Sequence, residues 1–224
     1  MSDAQAHVTA FWSTVASGYE AHGGNVAAYG TAAYQCWQDA LAAALPSPPA
    51  EILDVAAGTG YLALAAAALG HHVTAIDLSP QMLEELTAHA ADRGLSVDAR
   101  LGDAVRPDFP PASFGVVTSR HLLWTLREPA KAMTNWRNLL CPGGHLVAVD
   151  GFWFTGQNES GVPPLFAQHY TSATTAELPL MHIDRPDPIL DMLTAAGFVD
   201  LTAEPHPELA LESGVPYIFT AKRP

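Results

Sequence analysis

From residue 51 to residue 150, short apolar segments alternate with helical segments, and no other feature of the sequence constrains the fold as strongly. The helical segments are rich in Ala and Leu or begin with Ser-Pro and Glu-Pro pairs, which are typical of helix N-termini. The predicted strands are 51–55, 73–77, 97–101, 114–118 and 145–150, the predicted helices are 61–69, 80–94 and 129–140, and a turn is predicted over 141–144. Strands that alternate with helices form parallel βαβ units, so we predict an α/β fold with a doubly wound sheet.

The region before this alternation has a different pattern. Residues 3–45 are mostly helical by composition, with a break at the glycine pair 23–24. The proline-rich stretch 45–49 stops any helix that reaches it. We therefore predict an N-terminal helical cap over residues 1–45 and a main domain over residues 46–224.

The C-terminal third departs from the alternation in another way. Residues 152–186 contain aromatic residues and prolines without clear periodicity, which predicts an inserted lid over the sheet. A helix is predicted over 187–197, and two strands follow at 198–204 and 215–222. The connection between these two strands is short, so we expect an antiparallel hairpin at the end of the chain.

Composition disfavours several classes of partner. The chain has 224 residues and a formal net charge of -13, whereas nucleic-acid binding depends on Lys and Arg that neutralise phosphates. The same charge gives no attraction to anionic membranes. Neither Cys36 nor Cys141 lies in a zinc-like pair, and Met1–Ala10 lacks the pattern of a secretory signal. We therefore expect a cytoplasmic protein that binds neither nucleic acid nor membranes.

A glycine-containing loop lies between the first predicted strand and the first predicted helix. Its sequence is Asp54-Val-Ala-Ala-Gly58-Thr-Gly60, and glycine permits both a tight turn and a close approach of backbone to a ligand. Ligands of doubly wound sheets bind in this crevice, next to the free N–H groups of the helix N-terminus. The loop does not select a ligand, because Gly58-Thr-Gly60-Tyr-Leu-Ala63 also matches the nicotinamide fingerprint.

Two further acidic residues stand at strand ends. Asp77 closes the second strand, where a carboxylate can accept both hydroxyls of a ribose. Asp103 follows the third strand, where it can accept a hydrogen bond from an adenine amino group while the Ala104 N–H donates to a ring nitrogen. Together with Asp54, these carboxylates form a row along one edge of the sheet, facing the amino-acid, ribose and adenine parts of one ligand.

With these residues in place, the sequence resembles the class I S-adenosylmethionine-dependent methyltransferases, particularly those that act on small molecules. The matching segments, in the order and spacing of the family, are LDVAAGTG, VTAIDLSPQML, GDA, FGVVTSRHLLW and LLCPGGHLV. The resemblance implies a Rossmann-like, seven-stranded sheet whose last strand is antiparallel, which the terminal hairpin fits. It makes residues 46–224 the methyltransferase domain and residues 152–186 its substrate lid.

The resemblance also implies a cofactor site for S-adenosylmethionine. Arg120, just past the fourth predicted strand, would lie near the methionine end of the cofactor. The residues implied to bind the cofactor are Asp54, Ala56, Gly58, Gly60, Asp77, Leu78, Met82, Asp103, Ala104 and Arg120. The chain departs from the family at Ala56, where glycine is usual, and the extra methyl group stands where backbone normally approaches the cofactor.

The acceptor site is predicted from position and chemistry. His121 follows the fourth strand, where the transferred methyl group should point, and its pKa range suits a general base for a hydroxyl acceptor; a structural histidine is the alternative. The residues expected to line the acceptor pocket are Trp12, Tyr19, Trp124, Trp153, His169 and Tyr170. We predict no catalytic metal, because the adjacent His71 and His72 point to different faces and no metal-binding spacing is present.

These features favour methyl transfer to a small-molecule acceptor, with a weak preference for oxygen because His121 can serve as a base. One alternative is a nicotinamide-dependent oxidoreductase, which the glycine pattern permits. That class needs a Tyr/Lys pair or a substrate domain, and the chain has only Lys131 and Lys222. A second alternative is a non-catalytic protein that binds adenosylmethionine. The sequence leaves the acceptor and the oligomeric state open.

Overall fold

The seven strands form a single sheet. This computed structural model describes residues 3–20, 28–154, 163–210 and 214–224. The strands are β1 (Glu51–Val55), β2 (His72–Asp77), β3 (Asp98–Leu101), β4 (Phe114–Arg120), β5 (Leu140–Asp150), β6 (Val199–Pro205) and β7 (Tyr217–Lys222). Their order is β3-β2-β1-β4-β5-β7-β6. Strands β1 to β5 pair in parallel, whereas β7 is antiparallel to both β5 and β6. The predicted α/β sheet and its antiparallel last strand are confirmed.

Helices cover both faces of the sheet. The helices are α1 (Asp3–Val15), α2 (Ala32–Ala44), α3 (Tyr61–Ala68), α4 (Pro80–Asp92), α5 (Pro129–Leu139), α6 (Pro164–His169), α7 (Ser172–Thr175) and α8 (Asp187–Ala195). Successive side chains of a strand point to opposite faces, so Ile52 of β1 packs with α2 and α3 while Leu53 and Val55 pack with α5 and α8. Two apolar layers therefore hold the carboxyl ends of the strands in fixed positions.

A third, smaller apolar cluster lies outside these two layers. We call it the lid cluster; its members are Val8, Phe11, Trp12, Trp124, Trp153, Phe154, Phe166, Tyr170, Leu178 and Met181. It joins α1 to α6 and α7, whereas α2 packs into the main core. The described part of residues 152–186 thus packs against α1 through α6 and α7. The break predicted at 23–24 lies outside the described residues.

The turn predicted over 141–144 is wrong, because β5 already begins at Leu140. Phe114 pairs with Leu140 and Val116 pairs with His145, so the extra residues form a bulge within the strand. A residue near the C-terminus stabilises the bulge, because the Arg223 carbonyl accepts a hydrogen bond from the Gly143 N–H. Proline and two glycines made this segment resemble a turn, and the pairing with the C-terminus is not visible in local sequence.

Candidate active site

One cavity lies at the carboxyl ends of β1, β2 and β4. It encloses about 990 Å³, including its opening to solvent, which suits a ligand pocket. Of the residues predicted for the cofactor, those that line it are Asp54, Ala56, Gly58, Asp77, Leu78, Met82, Asp103, Ala104 and Arg120; His121, Trp12 and Tyr19 also line it. Gly60 lies beside it, in contact with a helix. Sequence reasoning missed the lining residues Gln5, Val8, Thr9, Tyr61, Leu62, Val105, Leu122, Thr125 and Leu126. Three of them come from α1 and carry no local motif.

The glycine loop turns through three residues with left-handed backbone. Ala56, Gly58 and Gly60 have φ of 53°, 56° and 94°. A Cβ at Gly60 would lie 2.7 Å from Leu86 Cγ, so glycine at this position leaves the room that the Leu86 side chain of α4 occupies. A Cβ at Gly58 would meet only Met82 Sδ, at 3.9 Å. The loop therefore leaves open space over Gly58, where backbone can approach a ligand.

Ala56 is strained in this loop, because a left-handed conformation costs roughly 1–2 kcal/mol for a residue with a Cβ. Ala56→Gly should remove that cost. It should also lower the free energy of unfolding by about 0.4–1 kcal/mol, because glycine raises the conformational entropy of the unfolded chain. We expect the melting temperature to stay level or rise by up to about 6 °C. Ala57→Gly is the matched control, because Ala57 lacks a positive φ and the variant should only lose stability. Equal losses in both variants, measured by calorimetry, would contradict strain at Ala56.

Asp77 holds the loop and the start of α4 together. Its Oδ2 accepts a hydrogen bond from the Gly58 N–H at 2.9 Å, and its Oδ1 accepts one from the Ser79 N–H at 2.8 Å. Burial raises the pKa of this carboxyl group, and the two N–H donors oppose the rise. Each carboxylate oxygen can accept a second hydrogen bond, so Asp77 retains acceptor capacity toward the cavity.

Asp54 is buried at the floor of the cavity. Its Oδ1 accepts a hydrogen bond from Thr118 Oγ1 at 2.7 Å. Burial raises the pKa of Asp54 to about 7, while the bond from Thr118 and the nearby charge of Arg120 lower it. Burial makes the ionised form of this carboxyl group costly, and a cationic group of a ligand beside it would stabilise that ionised form.

Asp103 lies at the third strand end, as predicted. Its Oδ1 accepts a hydrogen bond from the Val105 N–H at 2.8 Å, and Arg106 lies 3.8 Å from Oδ2. The neighbouring Ala104 carbonyl accepts from the fully buried Trp136 indole at 2.7 Å. This bond fixes the backbone on which Asp103 and Ala104 stand, and it links the loop to α5.

Arg120 ends β4 and lines the cavity beside Asp54. Its guanidinium carbon lies 4.4 Å from the Tyr61 ring centroid and 5.1 Å from that of Trp37. The two rings meet edge to face, with centroids 5.6 Å apart. Trp37 lies on α2 and does not itself line the cavity among the described residues. No sequence pattern indicates this contact.

His121 follows Arg120 and has a left-handed backbone, with φ of 53°. Its N–H donates to the Val149 carbonyl at 2.8 Å, and its ring meets Trp153 edge to face with centroids 4.9 Å apart. Burial lowers the pKa of the imidazole well below its usual value, and the charge of Arg120 lowers it further. Nε2 is buried without a hydrogen-bond partner in the described part of the chain. The side chain is therefore a neutral imidazole at neutral pH.

The lid cluster forms one wall of the cavity through Trp12, whose indole donates to the Tyr170 hydroxyl at 3.1 Å. That hydroxyl also lies 3.0 Å from Thr125 Oγ1, which belongs to the lining. The predicted acceptor residues Trp124, Trp153, His169 and Tyr170 lie outside the lining given by the described residues. Trp124, Trp153 and Tyr170 belong to the lid cluster, and the His169 ring contacts its edge through Phe11.

Asp150, at the end of β5, organises the segment behind this wall. Its carboxylate accepts hydrogen bonds from the Leu123 N–H at 2.7 Å, the Gly151 N–H at 2.9 Å and the Trp153 indole at 2.8 Å. Burial raises the pKa of Asp150 to about 6, and these donors oppose the rise. Sequence reasoning missed this residue, although it is a strand-end acid like Asp54 and Asp77.

Within residues 3–20, 28–154, 163–210 and 214–224, no group of three or more His, Cys, Asp or Glu side chains could hold a metal ion. In the same ranges, no helix has both the length and the apolar character needed to cross a membrane.

Comparison with known proteins gives a consistent set of relatives. Residues 53–148 match the model of a methyltransferase domain family. The chain is 32% identical over 184 residues to nocamycin O-methyltransferase of Saccharothrix syringae, covering 75% of this chain and 65% of that protein. It spans less than half of several other curated relatives, for example 44% of the ubiquinone biosynthesis O-methyltransferase of Xylella fastidiosa, which is 34% identical.

Solved structures share the fold at lower identity. The structure described as the [4+2]-cyclase SpnF has a TM-score of 0.73 and 20% identity, covering 97% of this chain and 95% of that one. A phosphoethanolamine N-methyltransferase of Haemonchus contortus, solved with S-adenosylhomocysteine, has a TM-score of 0.70 and 18% identity, covering 95% of this chain and 58% of that one. At these identities the likeness concerns the fold.

Proposed function

The core of this chain is a class I S-adenosylmethionine-dependent methyltransferase domain, and we propose that the protein transfers the methyl group of S-adenosylmethionine to a small-molecule acceptor. The observation that carries this proposal is the row of Asp54, Asp77 and Asp103 along one cavity. The row follows three adjacent strands, since the sheet order places β3, β2 and β1 side by side. Three acceptor groups in a row suit the ammonium group, the ribose hydroxyls and the adenine amino group of adenosine joined to an amino acid.

The residues present fit this cofactor. Asp103 and Ala104 would receive the adenine edge, the acceptor capacity of Asp77 would receive the ribose hydroxyls, and the open space over Gly58 admits a ligand close to backbone. Asp54 would lie against the ammonium group, which offsets the cost of ionising a buried carboxyl group. A nicotinamide-dependent oxidoreductase is not favoured, because the domain match and the named relatives are methyltransferases.

The bound cofactor supplies an electrophilic sulfonium methyl group, and the protein's part is alignment of the acceptor and exclusion of water. Val8 and Trp12 of the lid cluster line the cavity, and the rest of the cluster packs behind them. Neutral His121 would accept the proton of a hydroxyl acceptor through an unprotonated ring nitrogen. We propose oxygen as the methylated atom for that reason, and the similarity to an O-methyltransferase supports it.

Titration calorimetry with three ligands tests the cofactor. We expect S-adenosylmethionine and S-adenosylhomocysteine to bind and to raise the melting temperature, and NAD to do neither. Binding of NAD alone would overturn the proposal. Because a protein of this fold is described as a cyclase and fold does not fix function, methyl transfer itself needs a second assay. Formation of S-adenosylhomocysteine should depend on an added hydroxyl-bearing acceptor drawn from a panel of small molecules.

A further inference from the structure

The positive end of the cavity lies beyond the row of carboxylates. In the sheet order β3-β2-β1-β4, the lining side chains at the successive strand ends are Asp103, Asp77, Asp54 and Arg120. Among the described lining residues, Arg120 is the only Lys or Arg, and it lies close enough to Asp54 to lower the pKa of that carboxyl. An anion and a cation side by side are complementary to an α-amino acid, whose ammonium would face Asp54 and whose carboxylate would face Arg120.

A guanidinium recognises a carboxylate best when its plane is held in one orientation, because the bidentate geometry is directional. Arg120 is held in this way by aromatic rings, with Tyr61 and Trp37 at 4.4 and 5.1 Å from the guanidinium carbon. Tyr61 reaches the cavity itself, whereas Trp37 is 4% exposed and packs in the main core between α2 and α3. Among the described residues, Trp37 is therefore connected to the cavity through its contacts with Arg120 and Tyr61.

We propose that Trp37 is a positioning residue that holds Arg120 in place for the carboxylate of the cofactor's amino-acid end. This inference rests on the proposed function, since it requires a ligand with an amino-acid end. It gives α2 a role in ligand recognition, although α2 contributes no lining residue to the cavity in the described part of the chain.

Two ligands that differ only at the amino-acid end test this role. S-adenosylhomocysteine carries the amino acid, and 5′-methylthioadenosine keeps the adenosine and the thioether but lacks it. We expect Trp37→Leu to weaken S-adenosylhomocysteine binding roughly five- to tenfold, a range consistent with loss of a buried cation–π contact, and to leave 5′-methylthioadenosine binding unchanged. Trp37→Phe keeps a ring beside Arg120 and should restore most of the affinity.

Leu41→Ala is the matched control, because Leu41 lies one turn further along α2 and packs in the same core. It should lower the melting temperature while leaving the ratio of the two dissociation constants as in the wild type. Should Trp37→Leu fail to fold, Arg120→Lys supplies a second test, since lysine keeps the charge and loses the planar guanidinium. That variant should lose the same selectivity.

The outcomes separate the two proposals. If Arg120→Lys loses selectivity and Trp37→Leu keeps it, the role of Trp37 is overturned and the proposed function stands. Equal weakening of both ligands by Trp37→Leu would also overturn the positioning role, because it would indicate a general loss of structure. If the wild type binds neither ligand, the proposed function fails and the inference fails with it.

Discussion

Asp77→Ala should weaken the binding of S-adenosylmethionine and S-adenosylhomocysteine by at least tenfold. The carboxylate of Asp77 retains acceptor capacity toward the cavity, and each hydrogen bond from a ribose hydroxyl to a charged group contributes roughly 1.5–3 kcal/mol. The variant also leaves the Gly58 and Ser79 N–H groups without their acceptor. The glycine loop should therefore loosen, and the melting temperature should fall as well. Calorimetric titration and a melting curve measure the two effects separately.

Asp98→Ala controls for the loss of one negative charge. Asp98 is half-exposed on β3, pairs with Arg100 and lies outside the described lining of the cavity. The variant should bind both ligands as the wild type does. A folded Asp77→Ala protein with unchanged affinity would show that the ribose lies elsewhere, and the assignment of Asp77 would then be wrong.

The strand positions were predictable because each strand is a short apolar run between clear turn residues. β1 has the predicted bounds, 51–55, and β2 and β4 differ by one or two residues at one end. Helices α2, α3, α5 and α8 bury these strands on both faces. Because both faces are buried, the apolar residues of each strand form a continuous run in the sequence. The bulge in β5 escaped prediction because residues far away in sequence determine it.

The acidic half of the site was predictable for a related reason. The carboxyl ends of parallel strands meet at one edge of the sheet, so polar residues at strand ends converge whatever their spacing in sequence. The partners across the cavity were not predictable. Trp12, Thr125 and Tyr170 meet in one hydrogen-bonded group, yet they come from three separate segments and follow no common period. The ring of Trp37 beside Arg120 is a contact of the same kind.

The left-handed backbone conformation of His121 limits which substitutions can test its role. A left-handed φ of 53° is tolerated by His, Asn and Asp better than by Ala. His121→Ala alone would therefore mix loss of the imidazole with backbone strain. His121→Asn keeps a residue that accepts this conformation but supplies no base, so the two variants together separate chemistry from folding.

If His121 is the base for a hydroxyl acceptor, both variants should reduce turnover by roughly a hundredfold or more, the usual range for general acid–base catalysis. Binding of S-adenosylhomocysteine should change little. Near-wild-type turnover in well-folded His121→Asn would remove the assignment and leave the methyltransferase proposal intact. A raised Michaelis constant with little change in turnover would indicate that His121 only orients the acceptor.

The pH dependence follows from the direction of the pKa shift. Burial and the charge of Arg120 hold the pKa of His121 well below its usual value, so the ring is already a free base at neutral pH. The ammonium group of bound S-adenosylmethionine would favour the ionised form of Asp54, so the test uses saturating cofactor. Under that condition turnover by the wild type should not fall between pH 8 and about pH 6.5, the pKa of an unperturbed histidine, and should fall only at lower pH, as the imidazole is protonated. The unfolded chain binds this proton more readily, so the contribution of His121 to folded stability declines below about pH 6.5, whereas the raised pKa values of Asp54 and Asp150 act in the opposite direction. A melting curve at each pH distinguishes unfolding from loss of the base. The residual activity of His121→Asn should show no such fall at any pH at which the variant remains folded. If turnover falls in the same way at low pH in both proteins, a group other than His121 is responsible for the fall.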